Sequence, residues 1–160
     1  MLYVFSKNSC IFVFLGIGFM PQIYRYLELV FYFVARGEHL PPHVHVIDEN
    51  NNQSVFDLVI KDGLLSEVKI RKMKGFLPIS EKNQTIVKNF VHIYYADIVT
   101  KWFEFFILGK DIKPVTITKI ENMSVDTQKL TEHISDLNKH FYPGEKKRPK
   151  QISTSKNKKK

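Results

Sequence analysis

The chain has 160 residues, of which 44% are hydrophobic and 25% charged, a composition typical of one ordinary folded domain. Its net charge of +8 lies entirely between Lys146 and Lys160, where eight residues are basic and none is acidic, so the rest of the chain is neutral. Because the chain outside this tail is neutral and has no helix-turn-helix pattern, the sequence does not support sequence-specific DNA binding. The single cysteine, Cys10, excludes an intrachain disulfide and predicts a reducing, cytoplasmic location.

Residues 1–19 contain an apolar run from Cys10 to Phe19. The run is about half as long as a membrane span requires, and no small-x-small cleavage site follows it. It can be a signal peptide, an extra strand or short helix, or sequence upstream of a true start at Met20. We favour an apolar extension or a mis-assigned start, and we predict no membrane attachment.

Strands are predicted where β-branched and aromatic residues cluster between turn signals, at residues 23–26, 29–35, 43–47, 55–60, 64–70 and 114–120. The turn signals include Asn50-Asn51-Asn52 and Asp62-Gly63. Apolar residues at helical spacing follow Ser80, a good N-cap, and continue toward Gly109. We expect Asp97 to cap or kink this helix and so divide it into two parts.

These elements predict an α+β fold with a small antiparallel sheet of about four to six strands, a two-part helix and a closing strand. Residues 20–120 are expected to form the single domain. A weak helical segment covers residues 121–143, and a disordered basic tail covers residues 144–160.

Three of the six histidines, His39, His43 and His45, lie within seven residues around Pro41 and Pro42. Side chains on a strand alternate between its faces, so His43 and His45 point the same way with Cα atoms about 6.6–7 Å apart. The two prolines stiffen the preceding backbone and fix His39 relative to this pair.

Three interpretations of this segment stay open. The histidines can transfer protons, and cleavage of RNA by its 2′-hydroxyl needs such a pair with a cation for the developing charge. The cation is expected to be Arg25, with Arg36 or Lys101 as alternatives. The histidines can instead bind zinc with one open position, although their spacing matches no strong motif. They can also be structural, as His92 is expected to be, while His133 and His140 carry no signal.

From Met20 the chain resembles the prokaryotic family called domain of unknown function 4160, over about residues 20 to 120. The resemblance lies in Met20-Pro-x-Ile-x-Arg25-Tyr26, the strand Phe31-Tyr-Phe33, the core His39-x-Pro-Pro-His43-x-His45-Val, and a helix containing Trp102. The matching site positions are Arg25, His39, Pro41, Pro42, His43 and His45. The chain departs from the family at Leu40, where asparagine is usual, at Val44, where an aromatic is common, and in the longer asparagine turn.

The resemblance implies a toxin component of a toxin–antitoxin pair, neutralised by a small partner of the type called domain of unknown function 2442. We therefore expect a toxin-like protein, with ribonuclease activity through the histidines as the leading hypothesis and RNA as the substrate. It needs no cofactor unless His39, His43 and His45 bind a divalent metal. The alternative is a non-enzymatic protein-binding module with a structural histidine segment. The basic tail is either a solvated chain or a source of non-specific nucleic-acid affinity.

Overall fold

Eight secondary-structure elements make up the part of the chain that the computed structural model describes, residues 20–35 and 40–143. They confirm the predicted α+β class. In chain order they are β1 (Gln22–Tyr26), β2 (Leu29–Tyr32), β3 (His43–Ile47), β4 (Gln53–Lys61), β5 (Leu64–Lys72), α1 (Glu81–Phe106), β6 (Val115–Ile117) and α2 (Thr127–Phe141). The predictions for residues 1–19, for Arg36 and His39, and for the basic tail lie outside the described residues.

The six strands form one sheet in the order β5-β4-β3-β2-β1-β6. The first five strands pair antiparallel with their chain neighbours, as in a meander. β6 pairs parallel with β1, because the chain first crosses the sheet through α1 and then returns in the direction of β1. The sheet is therefore mixed, where sequence reasoning predicted an antiparallel one.

Two turns set the register around β4. The Asp48 carboxylate accepts hydrogen bonds from the backbone N–H groups of Asn50 and Asn52, at 2.9 and 3.0 Å, and fixes the turn between β3 and β4. At the next turn Asp62 and Gly63 have φ values of 50° and 75°, as a tight hairpin turn requires. Both turns were predicted from composition.

Helix α1 begins as predicted, because the Ser80 hydroxyl accepts a hydrogen bond from the Asn83 backbone N–H at 3.2 Å. It then continues for 26 residues without a break, so the expected division at Asp97 is wrong. The Asp97 carboxylate accepts hydrogen bonds from the Tyr24 hydroxyl and, at 2.8 Å, from the Lys101 ammonium. An aspartate engaged in this way does not compete for nearby backbone groups, which is how aspartate ends helices.

The main core lies between α1 and one face of the sheet. Phe90 of α1 packs on Phe31 and Tyr24, with ring centroids 4.5 and 5.3 Å apart. Trp102 extends this core to α2 by packing on Phe141, at 5.3 Å. No helix in the described ranges combines the length and apolar content needed to cross a bilayer.

Candidate histidine site

His43 and His45 lie side by side on β3. Val44 and Val46, which alternate with them, are fully buried in the core that faces α1. The two histidines therefore point to the other face of the sheet, as strand alternation predicts. Their ring centroids are 5.3 Å apart, and their exposed fractions are 3% for His43 and 8% for His45.

His43 is held in one tautomer by the backbone just before it. Its Nδ1 lies 3.0 Å from the carbonyl oxygen of Pro41. A carbonyl oxygen can only accept, so Nδ1 carries the proton and Nε2 carries the lone pair of the neutral ring. At the end of β3 the same ring lies 6.0 Å from the indole of Trp102. The proline segment thus sets the orientation of the imidazole as well as the path of the chain.

His45 lies two residues further along β3, on the same face. Both its ring nitrogens are buried, and its ring centroid is 5.3 Å from that of Tyr32, its neighbour on β2. The Tyr32 hydroxyl in turn donates a hydrogen bond to the Gln53 side chain at 2.6 Å. His45 is therefore packed between aromatic rings on both sides.

Two charged residues that sequence reasoning missed complete the cluster. Asp57 lies directly opposite His43 in the β3–β4 ladder, and Arg71 lies opposite Val55, the neighbour of His45. The guanidinium of Arg71 donates two hydrogen bonds to the Asp57 carboxylate, at 2.7 and 2.8 Å. We call His43, His45, Asp57 and Arg71 the histidine cluster. The signal for Asp57 was an acid in the middle of an apolar strand, which is rare unless the charge is paired.

The predicted cations have different positions. Arg25 lies on β1, in one row with Val30 and Ile47, so it shares the face of the histidines and, like Arg71, is two strands from β3. Lys101 is on α1, bonded to Asp97 and 5.4 Å from the centroid of the Tyr24 ring, and so it lies on the other side of the sheet. Arg71 differs from Arg25 in its row, because it lies across Val55 from His45 and is bonded to Asp57, the residue opposite His43. Arg36 and His39 are outside the described residues.

A metal centre is not formed by the described residues alone. Within residues 20–35 and 40–143, no group of three or more histidine, cysteine or acidic side chains is placed to hold a metal ion. Two of the three predicted ligands, His43 and His45, are adjacent, and the third, His39, is not described. The three-histidine hypothesis therefore stays a prediction.

The remaining histidines are distributed differently from expectation. His92, expected to be structural, is exposed on α1. His133 stacks on Phe103 with ring centroids 4.2 Å apart and an interplanar angle of 8°, so it joins α2 to α1. Burial lowers the pKa of His133 below its usual value, and the nearby charge of Lys129 lowers it further.

Comparison with known proteins gives one family. The family model described as Domain of unknown function (DUF4160) matches residues 29–103, which run from the start of β2 into the last turn of α1. The match includes the whole histidine cluster and the two prolines. No curated protein and no solved structure matches the chain.

Proposed function

We propose that the chain is the toxin-like component of a toxin–antitoxin pair. The premise is that it belongs, through residues 29–103, to the family described as Domain of unknown function (DUF4160). We further propose that it acts in the cytoplasm, cleaving RNA through His43 and His45, and that a small partner protein neutralises it. The observation that carries the catalytic part is the pair of imidazole rings 5.3 Å apart beside a positioned arginine.

The cluster contains the groups that this reaction needs. One imidazole takes the proton of the 2′-hydroxyl as that oxygen attacks the phosphorus. The other gives a proton to the departing 5′-oxygen, so the products are a 2′,3′-cyclic phosphate and a 5′-hydroxyl end. Once the site opens and exposes the buried nitrogens of His45, rings at this separation can both reach one phosphate group, because a hydrogen bond extends about 3 Å from each nitrogen.

Arg71 supplies the positive charge. It is the most exposed member of the cluster, with 40% of its side chain accessible, and the Asp57 carboxylate holds its guanidinium in place. A guanidinium matches the oxygens of a phosphate, and charge that develops on the phosphorane strengthens the contact. We therefore assign phosphate binding to Arg71 and proton transfer to the histidines.

The test uses variants that separate chemistry from structure. His43→Asn keeps an amide donor for the Pro41 carbonyl but has no group that titrates near neutral pH, so the fold should survive while cleavage is lost. His92→Asn, on the exposed surface of α1, is the matched control. The readouts are growth arrest on induction, the chemistry of the RNA ends, and a thermal melt of each variant. Cleavage by His43→Asn at the rate of the parent would rule out a catalytic role for His43.

A second candidate is a protein-binding module in which the histidine segment is structural. The burial of both ring nitrogens of His45 favours it, because RNA reaches them only after the site opens. A cavity of about 270 Å³ lined by Leu40, Pro41, Pro42 and Leu58, among others, is large enough for one apolar side chain of a partner. This candidate predicts that the parent cleaves no RNA and that His45→Ala lowers the melting temperature and partner binding together.

A further inference from the structure

Strand β5 is the last strand of the sheet on the side away from β6. Among the described residues, β5 is hydrogen-bonded in the sheet only to β4, and all nine of its residues are exposed or half-buried. The backbone N–H and C=O groups of such an edge are a template for one more strand.

The side chains of β5 divide into two rows along this edge. Val68 and Ile70 pair with Leu58 and Phe56 of β4 and point toward the core. Glu67, Lys69 and Arg71 point to the opposite face, which is the face of the histidine cluster. Lys72 follows at the end of the strand, so three of the four charged residues between Glu67 and Lys72 are basic. Lys69 lies 3.7 Å from Glu67 and Arg71 is bonded to Asp57, but both basic side chains keep 40% or more of their surface accessible.

We propose that β5 is a docking edge for an extended segment of a partner protein in which acidic and β-branched apolar residues alternate. The acidic residues of that segment would lie beside Lys69 and Arg71, and its apolar residues beside Val68 and Ile70. Opposite charges and apolar pairs on neighbouring strands stabilise a sheet. The inference rests on β5 alone and stands whether or not the histidines act on RNA.

A second copy of this chain fits the edge less well. Antiparallel self-pairing centred on Ile70 places Lys69 opposite Arg71. Pairing centred on Lys69 places two lysines opposite each other, and its only opposite-charge pairs join Glu67 to an Arg71 that is already bonded to Asp57. Like charges in such positions are destabilising. Pairing centred on Val68 would match Glu67 with Lys69, but it also needs Ser66 to pair. The register of β4 and β5 shifts between Val59 and Ile60, which leaves Ser66 as an extra residue in a bulge that interrupts the edge.

A segment bound at this edge would lie next to the Asp57–Arg71 ion pair. Arg71 is on β5 itself, and its guanidinium reaches across to β4. The acidic side chains of the segment would therefore lie beside Arg71, the most exposed member of the histidine cluster.

The experiment titrates the full chain, labelled with nitrogen-15, with a nine-residue peptide of alternating glutamate and valine flanked by threonine. We expect saturable shifts of the β5 amide resonances, weakened by added salt. Two further peptides carry N-methyl groups on the odd or on the even residues. Alternate residues of a paired strand turn their N–H groups away from its neighbour, so only one of these two peptides should bind.

The control variants test charge at matched positions. Lys69→Glu should weaken binding of the acidic peptide roughly fivefold. Lys88→Glu, an exposed residue of α1, should leave it unchanged. Equal binding of both methylated peptides, or no binding of the unmethylated one, would overturn the proposal. A peptide-free dimer that Lys69→Glu dissociates would also overturn it, in favour of a second copy.

Discussion

The carboxylate of Asp57 accepts two hydrogen bonds from the guanidinium of Arg71, at 2.7 and 2.8 Å, across neighbouring strands. The two side chains differ in exposure: 9% of the Asp57 side chain is accessible, whereas 40% of the Arg71 side chain is. A nearly buried carboxylate depends on its partner more than a half-exposed guanidinium does. The pair is therefore asymmetric, and the two single substitutions should have different effects.

Arg71→Met is expected to lower the free energy of unfolding by about 1–3 kcal/mol, because it leaves the buried carboxylate without this cation. Solvent screening at the half-exposed arginine keeps the loss below that of a fully buried pair. Adding Asp57→Asn removes the charge and should restore part of the stability. Urea unfolding of both single variants and the double variant gives the coupling energy. A double variant no more stable than Arg71→Met would contradict this account.

Asp97→Ala separates two accounts of the long helix. Alanine is the better helix former, so helix propensity alone predicts a gain of up to about 0.7 kcal/mol. The structure predicts a loss of about 1–3 kcal/mol, because the buried Tyr24 hydroxyl and the Lys101 ammonium both lose their acceptor. Asn89→Ala, at an exposed position of the same helix, is the control and should be neutral or slightly stabilising. Chemical denaturation of the two variants decides by the sign alone.

The strands were the most predictable part of the fold, and Asp97 shows where prediction failed. β-branched and aromatic clusters bounded by asparagine, aspartate and glycine placed the strands of the sheet, because strand and turn preferences are local. Asp97 was expected to end a helix for an equally local reason. Its actual role depends on Tyr24, which is 73 residues away in the sequence. A contact of that range is fixed by packing and is not visible in a single sequence.

The candidate site, too, could be predicted only where it depends on residues close together in the sequence. Strand alternation alone placed His43 and His45 on one face, because the two residues lie on the same strand. Asp57 and Arg71 join them only through the register of β3 with β4 and of β4 with β5. A change of one residue in either register would turn those charges to the other face. The choice of Lys101 as a cation failed for the same reason, since its face of α1 packs on the opposite side of the sheet.

The contact between α2 and α1 should weaken in acid. The pKa of His133 is lowered by burial against Phe103 and by Lys129, so the folded protein favours the neutral ring. A group with a lowered pKa binds more protons in the unfolded chain, and its contribution to stability is lost as pH falls below about 6.5. We expect the free energy of unfolding to decrease between about pH 7 and pH 5 more in the parent than in His133→Phe, which keeps the stacking but cannot titrate.

Other groups titrate in the same range, so the comparison with variants decides the cause. His140→Gln, at an exposed position of the same helix, is the control for the loss of a histidine as such. Urea unfolding at several pH values gives the slope for each protein. Equal slopes for the parent and His133→Phe would assign the acid sensitivity to other residues.

Two glycines with left-handed backbone provide a matched pair for the docking of α2 on the sheet. Gly63 has φ = 75°, and a Cβ atom there would lie 2.3 Å from the backbone oxygen of Thr127, the first residue of α2. Gly75 has φ = 85°, and a Cβ atom there would meet nothing within 4 Å.

Gly75→Ala should therefore show only the backbone cost of about 1–2 kcal/mol. Gly63→Ala should lose clearly more, because a backbone oxygen of α2 must also move. Thermal and urea unfolding measure the difference, and amide hydrogen exchange along α2 locates it. Equal losses for the two variants would mean that α2 does not rest on the β4–β5 turn as closely as these distances require.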